Sequence, residues 1–249
     1  MIQLYNGDCL EIMKDIPSKS IDLILCDPPY GTTPLEWDKT LPMDKVWEQY
    51  NRIIKDNGCI CLFGQEPFSS LLRLSNLKDY KYDRYWQKHK LTNIFQCERR
   101  PGKVVECISV FYKNQPKYNP QRTPRTGKDA SCKTHGRVST VVGGSNNKIK
   151  PVPYIDDGFR YPIQVLQFNR DSNLETKHPT QKPIALLKYL IKTYTDKGDI
   201  VLDNCMGSGS CGVACKELFR NFIGIEQDPK YFEIAKNWIN TTSAKRDLI

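Results

Sequence analysis

One short unit late in the chain constrains the fold more than any other stretch. Ile200-Val201-Leu202-Asp203 reads as a buried strand, a glycine-rich loop follows, Ser210–Phe219 has helical character, and Asn221–Glu226 reads as a second strand. Neighbouring strands joined through one helix run parallel, and right-handed crossovers bring their loops to one edge of the sheet. The rest of the chain keeps this rhythm. Strands are expected at residues 2–5, 21–26, 59–63, 82–86 and 107–112, and helices at 42–54, 68–77 and 229–239. A further helix starts around Thr180-Gln181-Lys182-Pro183 and carries Leu186, Leu187, Leu190, Ile191 and Tyr194 on one face. Glu11–Ile16 reads as a turn or two of helix, and Gly58 as the stop of the helix begun at Pro42. Such alternation defines an α/β fold with a doubly wound, mostly parallel sheet.

Two strand ends carry chemistry. Ile21–Cys26 runs into Asp27-Pro28-Pro29-Tyr30, where the prolines stiffen the backbone and supply no N–H. A carboxylate, a free carbonyl and an aromatic face at one strand end suit a planar ring bearing an exocyclic amine. Asp27 and the Pro28 carbonyl would accept its two hydrogens while Tyr30 stacks on the ring. A plain Pro-rich turn with a surface Tyr is the alternative. The second end is Asp203-Asn204-Cys205-Met206-Gly207-Ser208-Gly209-Ser210-Cys211-Gly212, which satisfies G-x-G-x-x-G between a strand and a helix. Glu226 ends the next strand, where a carboxylate can grip a ribose diol. This combination points to a nucleoside cofactor and leaves NAD and S-adenosylmethionine open. Asp8, after the first strand, is available for a cofactor adenine. Open α/β sheets bind ligands at the carboxyl ends of strands, so the two clusters are expected to meet. The cofactor half comes last in sequence, which a circular permutation of one sheet explains.

Charge adds a partner. The net charge of +9 is concentrated in residues 114–150, which hold eight Lys or Arg (Lys117, Arg122, Arg125, Lys128, Lys133, Arg137, Lys148 and Lys150) against one acid, Asp129. A basic, turn-rich stretch inside a better balanced chain suggests a polyanion. Ten cysteines occur without a Cys-x-x-Cys pair and only three histidines are present, so no metal is expected and a thiol-reduced, cytoplasmic protein is. No apolar stretch approaches the roughly 20 residues of a membrane span.

The tetrapeptide and the glycine loop together resemble the amino-methyltransferase family of DNA methyltransferases, in the β-group order with D-P-P-Y before the cofactor glycines. Further matches are Asn6-Gly7-Asp8, Trp86-Gln87-Lys88, Arg99-Arg100-Pro101 leading to Glu106, His178-Pro179-Thr180-Gln181-Lys182-Pro183, and Phe222-Ile223-Gly224-Ile225-Glu226. The resemblance implies a Rossmann-like, circularly permuted class I methyltransferase fold. Its catalytic domain would comprise residues 1–113 and 176–249, with an inserted target-recognition region at 114–175. S-adenosylmethionine would be the cofactor, with Asp8 on its adenine, Glu226 on its ribose, and Asp203, Cys205, Gly207, Ser208 and Gly209 at its methionine end. Asp27, Lys182 and Pro183 would border the same pocket. Asn204-Cys205 stand where the family usually has Pro and an aromatic, which implies a looser loop around an intact Gly-x-Gly core.

The implied activity is site-specific N6 methylation of a flipped-out adenine in double-stranded DNA. Asp27, Pro28, Pro29 and Tyr30 would form the reacting cluster, and Arg99, Arg100, Lys117, Arg122, Arg125 and Arg137 the DNA contacts. Asp rather than Ser before Pro-Pro leans toward adenine. N4-cytosine and adenine in RNA keep the fold and change the target. An NAD-dependent oxidoreductase leaves D-P-P-Y unexplained, and a catalytically silent DNA-binding protein is the remaining rival. A homodimer and a companion restriction endonuclease are both compatible with the resemblance.

Overall fold

The computed structural model describes residues 1–32, 38–126, 157–170 and 181–243. They form a large unit, Met1–Asn119 with Gln164–Ile249, and a small one, Pro120–Ile163.

In chain order the strands are β1 (Ile2–Asn6), β2 (Ile21–Cys26), β3 (Ile54–Gly64), β4 (Tyr80–Gln87), β5 (Val105–Phe111), β6 (Thr123–Pro124), β7 (Phe159–Arg160), β8 (Val165–Gln167), β9 (Ile200–Asp203) and β10 (Asn221–Glu226). The helices are α1 (Cys9–Ile12), α2 (Met43–Ile53), α3 (Phe68–Ser75), α4 (Ile184–Tyr194), α5 (Ser210–Glu217) and α6 (Pro229–Thr241). In the small unit β6 and β7 pair antiparallel. The sheet of the large unit has the order β1-β10-β9-β2-β3-β5-β4-β8. Only β5 runs against its neighbours; the remaining pairs are parallel. The late strands β9 and β10 lie between β1 and β2, which is the permuted, doubly wound arrangement expected.

Period-two patterning explains the layers. Leu23 and Leu25 of β2, with Cys59, Cys61 and Phe63 of β3, face a core completed by α4, α5 and α6. Ile24 and Cys26, with Ile60 and Leu62, face the opposite core, formed with α1, α2 and α3. Since β2 is buried on both faces, it reads as an almost continuous apolar run. Its one charge, Asp22, is paired with Lys55 at 2.7 Å and accepts the Ile200 N–H at 2.9 Å. The stripe Leu186, Leu187, Leu190, Ile191 and Tyr194 is the buried face of α4. Asp228 caps α6, accepting N–H groups from Lys230 and Tyr231, with Pro229 in the first turn.

Several details differ from the sequence reading. Gly58 does not stop a helix. α2 ends at Ile53, and β3 begins at once and runs through Gly58. A Cβ at Gly58 would lie 2.7 Å from the Ile54 side chain and 3.1 Å from the Asp22 carbonyl, so the glycine permits close approach between strands. The helix expected at 11–16 starts earlier, at Cys9, because Asp8 caps it, and it tightens into a 3-10 turn over Met13–Asp15. Residues 114–119 pack with the large unit: Asn119 Nδ2 donates to the Lys192 and Thr195 carbonyls at the end of α4, at 3.2 and 3.3 Å. The compact small unit is therefore narrower than the segment 114–175. No described helix is long and apolar enough to cross a membrane.

Candidate active site

β9 and β2 are parallel neighbours whose connections leave in opposite directions, β9 through α5 to β10 and β2 through α2 to β3. Sheets of this kind bind ligands at such a switch point, beyond the strands' carboxyl ends. A cavity of about 1090 Å³ lies there. Asp27, Pro28, Pro29 and Tyr30 line it, and so do Asp8, Lys182, Asp203, Cys205, Gly207, Ser208 and Glu226. The proline-rich turn and the glycine loop, far apart in sequence, thus open into one chamber. Pro183 and Gly209 are not among its lining residues.

At the β2 end, the Asp27 carboxylate is held from two sides. It accepts the Tyr30 hydroxyl on Oδ1 and the Lys182 ammonium on Oδ2. The Tyr30 ring stacks on Phe68 with centroids 5.2 Å apart, which fixes its plane. Burial, then Asp27, pushes the Tyr30 phenol well above its usual range, so it stays protonated and donating. Burial alone would depress Lys182, yet Asp27 and Glu106 together hold its ammonium above the ordinary value. Behind Lys182 lies Glu106, which pairs with Lys88 and accepts from Gln65 Nε2 at 3.1 Å. Burial would raise the Glu106 carboxyl, but Lys182 and Lys88 hold it below the usual range. The turn beyond Tyr30 is fixed by Asp38, whose carboxylate accepts the N–H groups of Tyr30, Gly31 and Thr32 at 2.7, 3.0 and 2.9 Å. No sequence signal marked Asp38. Lys88 and Glu106 lay in stretches that matched the family without a role attached.

The three glycines of the loop and of α5 have different surroundings. Gly207 has φ +52° and nothing within 4 Å of a Cβ placed on it, so its open side faces the chamber. Gly209 has φ +88°, and a Cβ there would meet Ala235 of α6 at 2.8 Å. A Cβ at Gly212 would press on the Ile239 side chain and lie 2.7 Å from the Phe222 ring. Gly209 and Gly212 therefore let α5 and α6 approach each other and the sheet. Glu226 ties the loop to β10, its two carboxylate oxygens accepting N–H groups of Gly207 and Asp228, each at 2.8 Å. Each oxygen keeps a lone pair for a ligand hydroxyl. Burial lifts the Asp203 carboxyl to about 7, although the Cys205 N–H opposes this. The position that usually holds proline is anchored instead: Asn204 Oδ1 accepts the Tyr50 hydroxyl at 2.5 Å, and Met206 N–H donates to the Ile225 carbonyl at 3.0 Å. Asp8 caps α1, accepting the Leu10 N–H at 2.7 Å, while also facing the chamber. These donors and acceptors fit S-adenosylmethionine. Buried and half-buried carboxylates suit an ammonium and a ribose, and the bare Cα of Gly207 leaves space a side chain would fill.

The residues expected at DNA differ in their surroundings. Arg99 and Arg100 are exposed on the segment between β4 and β5, and Arg100 reaches the chamber's lining. Lys117 is committed elsewhere, paired with Asp199 at 2.6 Å and Asp196 at 3.3 Å. Within the small unit, Arg122 pairs with Asp157 and lies over the Tyr161 ring at 4.8 Å, while the Arg125 N–H donates to the Gly158 carbonyl at 2.9 Å. Arg137 lies outside the described residues.

Comparison with known proteins places this geometry. The family model for N6/N4 DNA methylases matches residues 21–237. The Type II methyltransferase M.HinfI of Haemophilus influenzae is 26% identical over 252 residues, covering 94% of this chain and 67% of that protein. M.HpaI of Haemophilus parainfluenzae is 28% identical over 253 residues, covering 96% of this chain and 74% of its own. The crystal structure of the M1.HpyAVI–SAM complex superimposes with a TM-score of 0.65 at 29% identity, covering 96% of this chain and 100% of that one. PvuII DNA methyltransferase, described as cytosine-N4-specific, has a TM-score of 0.69 at 17% identity, covering 100% and 88%, a likeness of fold.

Proposed function

Because this chain belongs to the N6/N4 DNA methylase family and uses S-adenosylmethionine as cofactor, we propose that it methylates N6 of an adenine at a specific site in double-stranded DNA. The observation that carries this reading is the single chamber into which Asp27-Pro28-Pro29-Tyr30 and the Gly207 loop both open. The carboxylate at the first position of the tetrapeptide favours adenine over cytosine, following the family tendency already noted.

When bound, S-adenosylmethionine supplies a methyl group activated by a positive sulfur. Asp8 would hold its adenine, Glu226 its ribose, and Asp203, Gly207 and Ser208 its amino-acid end. The chain's own residues prepare the acceptor. The target amine is a poor nucleophile because its lone pair is delocalised into the ring. Hydrogen bonds from its two N–H groups to Asp27 and the Pro28 carbonyl favour a pyramidal nitrogen and localise that pair. In-line positioning then provides much of the rate. A base stacked in a duplex is out of reach and must be flipped out, at a cost of about a few kcal/mol. Stacking on the Tyr30 ring, whose plane is fixed by Phe68, returns ~1–3 kcal/mol. The small unit, Arg99 and Arg100 are the proposed sites of DNA contact, and the names of the relatives favour a place in a type II restriction–modification system.

The test is transfer of tritiated methyl to DNA, followed by digestion and nucleoside analysis. N6-methyldeoxyadenosine is expected. Label in N4-methyldeoxycytidine would move the target to cytosine, and label in RNA alone would replace the substrate. No transfer to any nucleic acid would refute the proposal.

A further inference from the structure

We propose that Lys182 is a movable counter-ion with two seats, Asp27 in the free enzyme and Glu106 once the target amine has entered, and that Glu106 is the positioning residue that makes this exchange possible. The inference rests on the reading that Asp27 receives the target amine. It adds a step that the reading does not contain, the clearing of that seat.

Both seats are present. Lys182 Nζ is bonded to Asp27 Oδ2, and the same nitrogen lies 3.5 Å from Glu106 Oε2. That oxygen is buried and makes no hydrogen bond among the described residues, whereas Glu106 Oε1 is taken by Lys88 and Gln65. A buried carboxylate oxygen left without a donor is costly unless some state of the protein supplies one. Lys182 Nζ is already within ion-pair distance of it, at 3.5 Å. Side chains of Lys182, Glu106 and Lys88 are all under one-tenth exposed, so water does not substitute easily for the missing partner.

The first seat has to be vacated for chemical reasons. An ammonium on Oδ2 draws density from the carboxylate and weakens it as an acceptor for the incoming N–H. As the amine nitrogen is alkylated it becomes positive, and a lysine still on Asp27 would repel that charge at short range in a poorly hydrated site. Moving to Glu106 keeps Lys182 paired and leaves Asp27 a full anion beside the reacting nitrogen. Lys88 does not compete for the second seat. It bonds Oε1 and lies over the Trp86 ring at 5.1 Å.

The experiment is a double-mutant cycle on the full-length protein, read by cofactor affinity, KM for DNA and single-turnover methyl transfer. Glu106→Gln removes the second charged seat and locks Lys182 on Asp27. Its methyl-transfer rate is expected to fall about tenfold or more, with cofactor affinity unchanged. Lys182→Gln alone is expected to lose less. The double variant is expected to return to the Lys182→Gln rate, because without the lysine nothing needs a second seat. A purely structural role for Glu106, acting through Lys88, leaves the double variant as poor as Glu106→Gln or worse, and that result overturns the proposal. Should the variants fail to fold, a crystal structure of wild-type protein with S-adenosylhomocysteine and target DNA decides the matter. Lys182 Nζ bonded to Glu106 is the expected arrangement. A base amine on Asp27 with Lys182 still in place refutes the exchange and spares the functional reading, whereas a base seated away from Asp27 refutes the reading itself.

Discussion

Three glycines of the loop and of α5 should separate ligand binding from packing when each is replaced by alanine. Gly207→Ala places a methyl in open space facing the chamber, at φ +52°. The left-handed backbone costs ~1–2 kcal/mol, and the added methyl intrudes where the cofactor's amino-acid end would lie. Gly209→Ala adds to a similar strain a contact of 2.8 Å with Ala235 Cβ and 3.0 Å with its Cα, which is backbone and cannot swing away. Overpacking of that kind costs a further ~1–3 kcal/mol, for a total near 3 kcal/mol and a fall in Tm of roughly 6–12 °C. Gly212→Ala gains about 1 kcal/mol of helix propensity but presses on the fully buried Phe222 ring at 2.7 Å, so the net loss is about 1 kcal/mol. Thermal unfolding and isothermal titration with S-adenosylmethionine are the assays. Cofactor affinity should fall about tenfold or more in Gly207→Ala alone among well-folded variants. The largest loss of Tm should be that of Gly209→Ala. Normal cofactor affinity in Gly207→Ala, or a Gly209→Ala protein as stable as wild type, would refute the division of roles.

Further outcomes follow from the same geometry. Asp203 has a folded pKa of about 7, above its unfolded value, so the fold holds an extra proton between the two. Its unfavourable contribution is absent below about pH 4, grows as the pH rises from there to about 7 and is constant above, so Asp203→Asn should gain stability relative to wild type between about pH 4 and pH 7. Unfolding curves that stay parallel across that range would contradict the buried carboxyl. Tyr30→Ala should reduce methyl transfer far more than Tyr30→Phe, since the ring keeps its Phe68 stack in the second variant and loses only the hydroxyl on Asp27; equal losses would argue against stacking. Asp38→Ala removes the acceptor of three backbone N–H groups next to Tyr30 and should lower transfer about tenfold while leaving cofactor affinity intact. Unchanged single-turnover rates in Asp38→Ala would show that the turn holds itself.

Much of this arrangement was readable in the sequence because it is local or periodic. β2 and its prolines, the βαβ unit from Ile200 to Glu226 and the stripe of α4 each announce themselves within a few residues, and topology alone brings the two strand ends together. What escaped notice depends on contacts between distant segments. Gly58 looks like a helix stop until the Asp22 carbonyl beside it is seen, and nothing in the loop's sequence shows that Gly209 packs against Ala235. The chain Asp27–Lys182–Glu106–Lys88 joins residues from four separate stretches, and no spacing rule links them. Lys117 belongs by composition to a basic segment, but in space it is the partner of Asp199.

The most direct test of the shared chamber is Asp27→Ala, assayed in parallel for cofactor binding and for methyl transfer to duplex DNA. Retained S-adenosylmethionine affinity together with abolished transfer is the expected result, because in the proposed reading the carboxylate serves the acceptor while residues from other strands lining the same cavity hold the cofactor. Unimpaired turnover in Asp27→Ala would contradict it.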